Sequence, residues 1–435
     1  MSEFTFFLEA VQNNPRDEAI QRIIDEADFS KEIAAELLDA GFKLRDGGMP
    51  HLAARLFNKA SLAWTQETSF HYEAAFAYRL TGDHTRAARL LAKAFTIQPN
   101  NERIRQFLAH MMFATGAHSQ GLGVLDMQNA SGGPVQDARQ LFSDFSQYMQ
   151  NFPKSASLIL RDEVCSKYEE LSTQAVYSEI SRAIYDRSPF SLIRLGDGEG
   201  SCLSLGDVDE MEYAALYAAN RRELTEMWFG KDFPSEQNGF QALSRSLPDV
   251  LAQTDIIGIP YESWIEHEYN ISSTRGIPSL VNILRCIRNA SLNTKICSQL
   301  IHMDLQNGDF IGKLIKQADK IALISCLSEL PDLIKTRFEI SSVDFYKIPG
   351  EKGSSSVLGE AASAGTHYPN AYHEIMERLS TPHDGKLFLV AGGILGKFYV
   401  NKIKEFGGVA LDIGSLADGW AKKNTRPGMS NQFAL

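Results

Sequence analysis

Small residues return every 34 positions through the first third of this chain, and that period limits what the segment can fold into. Gly48, Gly82 and Gly116 are 34 apart, as are Gly41, Ala75 and Ala109. Ala53, Ala87 and Gly121 keep the same step, and so do Ala60 and Ala94. A fixed period of this length marks a repeated supersecondary unit. The surrounding residues read as helices, so each unit is a helical pair whose small residues let neighbouring helices approach closely. One pair cannot bury its apolar face alone and must stack on the next. An ordinary helical bundle with chance alanine spacing is the plainer alternative, but four columns share one period.

Tyr78 lies in the first helix of the middle unit, and Pro99 closes that unit within Gln98-Pro99-Asn100-Asn101. With glycine at the inter-helix turn and proline at the end, the pattern resembles the tetratricopeptide repeat. The match is best over 68–101, recognisable over 34–67 and degraded over 102–135. That resemblance implies an interaction or spacer surface and no chemistry of its own.

The grammar then changes. Asn129-Ala130-Ser131-Gly132-Gly133-Pro134 is a breaker cluster. A helical stretch over 136–150 follows. Further on, short apolar runs alternate with helical segments, with strands expected at 190–195, 255–259, 320–325, 343–348, 386–391 and 409–412. Most of these runs are continuous and not alternating, as in strands buried on both faces of a parallel sheet. The expected fold class is therefore α/β, a Rossmann-like mainly parallel sheet after an N-terminal all-α repeat domain. The expected organisation is a repeat domain over 1–135, a helical linker over 136–179 and an α/β domain over 180–435.

Composition narrows the function classes. The chain has 435 residues, which predicts two or three domains. Its net charge of −11 leaves no excess of cations to neutralise a nucleic-acid backbone, although local basic pockets are compatible with it. Five cysteines without Cys-x-x-Cys spacing favour reduced thiols in the cytosol over disulfides or structural zinc. The N-terminus lacks the basic region of a signal peptide. No apolar run reaches the roughly 18 residues of a membrane span. The expected location is cytoplasmic, including peripheral contact with the inner face of a membrane.

The chemistry concentrates in three turns. Arg194-Leu195-Gly196-Asp197-Gly198-Glu199 leaves the end of the first expected strand. Ligands of open α/β sheets sit outside such strand ends. An Asp-x-Glu pair there suits a hard divalent cation that shares phosphate oxygens. As turn chemistry alone, the same residues read as a solvated acidic turn. Arg194 either pairs with the carboxylates or reaches a diphosphate bidentately. The second turn, Ala391-Gly392-Gly393-Ile394-Leu395-Gly396-Lys397, joins a strand to a helix, so its glycines either bring backbone N–H groups to an anion or serve packing alone. It carries neither a complete dinucleotide fingerprint nor a Walker lysine pattern. The third runs from Asp412 through Gly414 and Ser415 to Asp418, Trp420 and Arg426. Here Ser415 is a candidate for phosphate or ribose, and Trp420 for stacking on a base or sugar. Weaker candidates are His302, Arg275, a polar loop at 351–356 read as a lid or a plain connection, and the unassigned His367 and Glu374.

Taken in order, the motifs at 194–199, 255–260, 391–397 and 407–415, with Asp418-Gly419-Trp420, resemble the GT-D-type glycosyltransferases over about 180–428. The resemblance implies transfer of a sugar from a nucleotide-sugar donor, typically a UDP-sugar, to a hydroxyl of a growing glycan or glycoconjugate. It implies Mn2+ or Mg2+ at Asp197 and Glu199, which would stabilise charge on the leaving diphosphate through an oxocarbenium-like transition state. Arg194, Asp412 and Asp418 match recurring family positions without individual roles. Gly196, Gly392, Gly393, Ser415 and Trp420 join them as residues expected at the nucleotide. No catalytic base is identified, so inversion and retention both stay open. The repeats are expected to recruit a protein partner or a second copy. Two alternatives are a metal-dependent phosphohydrolase and a non-catalytic scaffold with a nucleotide-binding α/β domain.

Overall fold

A computed structural model describes residues 17–29, 34–126, 134–203, 207–234, 238–363, 365–423, 425 and 433–435. Arg426 and most of the breaker cluster at 129–134 lie outside the described residues. The chain forms two compact units. The first comprises residues up to Met149 together with His267–Ser273, and the second comprises the rest.

In the first unit the period appears as geometry. Helices Ala34–Asp46, Thr68–Leu80 and Glu102–Ala114 begin 34 residues apart. Their partners Pro50–Ala63, His84–Ile97 and His118–Asp126 do the same. The turn inside each pair carries its glycine at positive φ: 83° at Gly48, 79° at Gly82 and 78° at Gly116. Only glycine takes that conformation without a steric cost, so the column marks a C-terminal helix stop. Helices His84–Ile97 and Glu102–Ala114 start on side-chain caps. The Asp83 carboxylate accepts from Arg86 N at 2.9 Å, and the Asn101 side chain accepts from Ile104 N at 3.3 Å. The small-residue columns are contact points: a Cβ on Gly41 would lie 2.1 Å from the Phe57 ring.

The second unit is built on a seven-stranded parallel sheet in the order β3-β2-β1-β7-β6-β4-β5. The strands are β1 Phe190–Arg194, β2 Ile256–Ile259, β3 Lys295–Ser298, β4 Ile321–Ser325, β5 Asp344–Lys347, β6 Leu387–Val390 and β7 Val409–Asp412. The five inner strands are buried along their whole length, which is why they read as unbroken apolar runs. The sequence reading found six strands and missed β3. Lys295-Ile296-Cys297-Ser298 buries only its two central residues, so at an edge it leaves almost no apolar signal. The residues at 351–356 form short helical turns and not an irregular loop. Among the described residues no helix is long and apolar enough to cross a membrane.

Topology directs attention to one end of the sheet. After β4 the chain moves outward to β5, and after β6 it moves the other way to β7. Connections that leave neighbouring strands in opposite directions open a crevice at their carboxyl ends. The Asp197–Cys202 helix, which follows β1, is pressed against helix Gly276–Asn289. A Cβ on Gly200 would lie 2.3 Å from the Ser279 carbonyl oxygen, backbone that cannot swing aside. We expect Gly200→Ala to destabilise the α/β unit by about 1–3 kcal/mol, the usual cost of overpacking. Chemical denaturation followed by tryptophan fluorescence measures this, and an unchanged midpoint would contradict the packing described.

Candidate active site

Four charged side chains meet below the carboxyl ends of β1 and β7, almost out of reach of water. Arg194, Glu199, Lys397 and Asp412 are 7%, 7%, 4% and 4% exposed. Parallel pairing sets Leu192 beside Leu411, so Arg194 lies one residue beyond the level of Asp412 and its backbone N–H reaches back to that carboxylate. The Asp412 carboxylate accepts from Arg194 N at 3.1 Å and from the guanidinium Nη2 at 3.4 Å, while Nε donates to the Asp412 carbonyl at 3.0 Å. The remaining arm of Arg194 donates to the Gln299 carbonyl at 3.3 Å and to His302 Nδ1 at 3.0 Å. Lys397, one turn into the Gly393–Glu405 helix, donates to Asp412 Oδ2 and lies 3.2 Å from Glu199 Oε1. Glu199 closes the set by accepting from Gly196 N at 2.9 Å through Oε2.

Two cations and two carboxylates thus neutralise one another in a dry site. Burial alone would push the Asp412 carboxyl up. The Lys397 ammonium and the Arg194 guanidinium outweigh it, and the carboxyl sits at about 2. His302 moves down from its ordinary value, first through burial and then through Arg194, so it is a neutral acceptor.

Above this layer lies an accessible rim. Asp197 keeps 43% of its side chain exposed. Its Oδ1 accepts from Gly198 N at 2.9 Å, and its Oδ2 pairs with Arg275 at 2.9 Å. Arg275 also pairs with Glu223 at 2.6 Å. Gly196, Gly393, Ser415 and Asp418 are likewise accessible, whereas Gly392 is buried. The Asp-Gly-Glu and Gly-Gly turns flank one indole: Cβ atoms on Gly198 and Gly393 would lie 2.5 Å and 3.9 Å from Trp228. Asp418 accepts from Thr425 Oγ1 and sits near Cys326, whose thiol is pushed up to about 12 by burial first and Asp418 second.

The structure therefore sorts the expected residues into two layers. Arg194 points inward with its arms engaged, so it offers no free fork to a diphosphate. Trp420 is fully buried, and its indole donates to Gln306 at 3.1 Å, so it offers no stacking face. Of the weaker candidates, Arg275 pairs with Asp197 on the rim, and His302 meets Arg194 in the buried layer. Lys397 and Trp228 carried no signal as site residues. Lys397 ends the glycine motif but follows no nucleotide-binding pattern, and Trp228 lies in a helix with no motif around it. His367 hydrogen-bonds Tyr399 at 2.9 Å inside the core.

Whether the residues fit a divalent cation depends on which carboxylates are open. Among the described residues, no three His, Cys, Asp or Glu side chains converge on one point. A cation shared with substrate phosphates needs only one or two carboxylates. Asp197 meets that requirement from the rim, while Glu199 is already bound by Lys397 and Gly196.

Replacing Lys397 by Met would leave two buried carboxylates short of one cation, and we expect a loss of about 3–5 kcal/mol at neutral pH. The Asp412 carboxyl is held below its unfolded value, so its contribution is complete above about pH 4 and fades as pH falls toward 2. The gap between wild type and Lys397→Met should narrow over that window in urea denaturation, and a constant gap would contradict the ion network.

The profile of the GT-D fold-like domain matches residues 171–420. No curated protein matches the chain. One solved structure, a mutant of the Thermobaculum terrenum O-GlcNAc transferase, aligns over 93% of this chain and 77% of that one, at 11% identity and a TM-score of 0.24. The domain match spans more than half of the chain and contains β1 through β7 with both layers of the site, and on that ground the chain belongs to the GT-D fold-like family of glycosyltransferase domains.

Proposed function

We propose that this protein transfers a glycosyl group from a nucleotide-sugar donor, a UDP-sugar, to a hydroxyl of a glycan or glycoconjugate. The observation that carries the reading is the exposed Asp197 carboxylate standing over a closed, charge-balanced layer at the carboxyl ends of β1 and β7. The donor diphosphate would lie between Asp197 and the turn at Gly392 and Gly393. The Gly393–Glu405 helix has no side-chain cap at its start, so its first N–H groups are free to meet phosphate oxygens. Ser415 and Asp418 would face the nucleoside from the adjoining strand end.

Asp197 would hold Mn2+ or Mg2+ together with the diphosphate, with Glu199 fixing the turn from beneath. Bound there, the cation would neutralise charge that builds on the leaving phosphate. Arg275 pairs with Asp197 and would be the group from which a cation takes that carboxylate. Lys397 and Arg194 hold Glu199 and Asp412 in place, so the turns they belong to need no rearrangement as the glycosidic bond breaks. Trp228 excludes water from one side of the two turns.

The test is a thermal-shift panel of UDP-, GDP-, dTDP- and CMP-sugars with and without Mn2+, on wild type and Asp197→Asn. One nucleotide sugar should stabilise the wild type only with metal, and Asp197→Asn should lose that response and reduce transfer on the order of 100-fold. No response from the folded wild type, or an equal one from the variant, would overturn the reading.

A further inference from the structure

The first unit carries a groove of about 550 Å³ whose charge runs against that of the chain. The protein as a whole has a net charge of −11. The groove is lined by five cations, Arg55, Lys59, Arg86, Arg89 and Lys93, and by one carboxylate, Asp25. That carboxylate is taken up by Arg55 at 2.9 Å. Lys59 is turned to the Ile24 and Asp25 carbonyls, at 2.7 Å each. Arg86 pairs with Asp83 at 3.3 Å and covers the Tyr78 ring at 5.5 Å. Arg89 and Lys93 are exposed and have no carboxylate partner among the described residues.

The arrangement is costly within the unit. Arg86, Arg89 and Lys93 lie at i, i+3 and i+7 on helix His84–Ile97, one face with cations spread over about 10 Å. Arg89 and Lys93 are one turn apart, where like charges destabilise a helix by about 0.2–0.5 kcal/mol. Among the described residues no carboxylate pairs with Arg89 or Lys93 to offset this, so the face suits a ligand that brings negative charge.

The groove also has an apolar side. That side is the one exposed apolar side chain of the lining, Leu62 at 64%, with Ile24 and Leu90 buried behind the groove at 1% and 5%. Phosphate or a sugar chain would leave that side uncovered. A nucleic-acid strand would need open aromatic faces for its bases, and Tyr78, the aromatic side chain of the lining, is 9% exposed beneath Arg86. We propose that this groove binds an acidic peptide segment of a partner protein that carries apolar side chains between its carboxylates. The carboxylates meet Arg89 and Lys93, and the apolar side chains cover Leu62. The proposal stands independently of the transfer reaction.

The experiment uses the full chain and three fluorescein-labelled peptides, alternating Glu with Leu, Glu with Ser and Lys with Leu. Fluorescence anisotropy should show the Glu/Leu peptide binding most tightly, weakening with salt, and losing roughly tenfold or more in the Arg89→Glu, Lys93→Glu double variant. Leu62→Ser should reduce Glu/Leu binding to the Glu/Ser level. Circular dichroism checks that the variants fold; if the double reversal melts early, Arg89→Gln with Lys93→Gln replaces it and should show the same loss. Equal binding of the Glu/Ser and Glu/Leu peptides to wild type would overturn the proposal in favour of a plain anion site. Unchanged binding in the charge variants, or none by folded wild type, would overturn it outright. So would a concentration-dependent rise in mass that the variant abolishes without any peptide binding, which would assign the groove to a second copy.

Discussion

The contact on which the α/β unit turns is the closed charge set of Arg194, Asp412, Lys397 and Glu199. Each of the four comes from a different stretch of chain: the end of β1, the end of β7, the helix after β6 and the turn after β1. Removing such charges from water costs several kcal/mol per ion, and attraction repays that only when the geometry is good and the other lone pairs are filled. Here they are filled, by Gly196 N, Gly414 N, the Gln299 carbonyl and His302. A well-packed apolar replacement of equal volume would hold the strands together as well. What it would not do is set the two turns at one height, because dispersion is not directional and a hydrogen-bonded ion pair is.

The exposed layer inherits that order. Asp197 precedes Glu199 by two residues on a short helix that cannot shift, with Gly198 against Trp228 and Gly200 against the Ser279 carbonyl. On the other side Gly414, at φ 48°, gives up its side chain to Arg194, since a Cβ there would lie 2.0 Å from Nη2. The glycines of the first and third turns are thus conditions of the buried layer as much as of the surface above it. A side chain at Gly200 or Gly414 would act on the exposed carboxylate without touching it.

This explains what could be read from the residues alone. The parallel sheet was legible because its inner strands are buried on both faces. The 34-residue pairing was legible because a positive φ at Gly48, Gly82 and Gly116 admits few residues. The motifs at 194–199 and 412–418 were legible as places, but the direction of each side chain was not. Arg194 and Trp420 read as ligands and prove enclosed, since a charged or aromatic residue at a strand end has the same letter whether it turns inward or outward. Lys397 went unremarked because its partners are 198 and 15 residues away in sequence, and no local pattern encodes a contact of that range. The edge strand β3 and the place of His267–Ser273 in the first unit have the same cause: both depend on neighbours that the local sequence does not name.

The two units handle charge in opposite ways, and that difference separates what each can do. In the buried layer of the α/β unit unlike charges are drawn together and sealed, so the energy of those four is spent on position and none of them is left to draw a partner. In the repeat unit Arg86, Arg89 and Lys93 share one face of a helix, and two of them meet no opposite charge among the described residues. Stacked repeats tolerate this because each pair gains its stability from its neighbours through buried small and apolar residues, leaving the outer positions of a helix free of structural duty. The groove is therefore a place where charge can be kept without a partner inside the fold, and the sealed network is a place where it cannot.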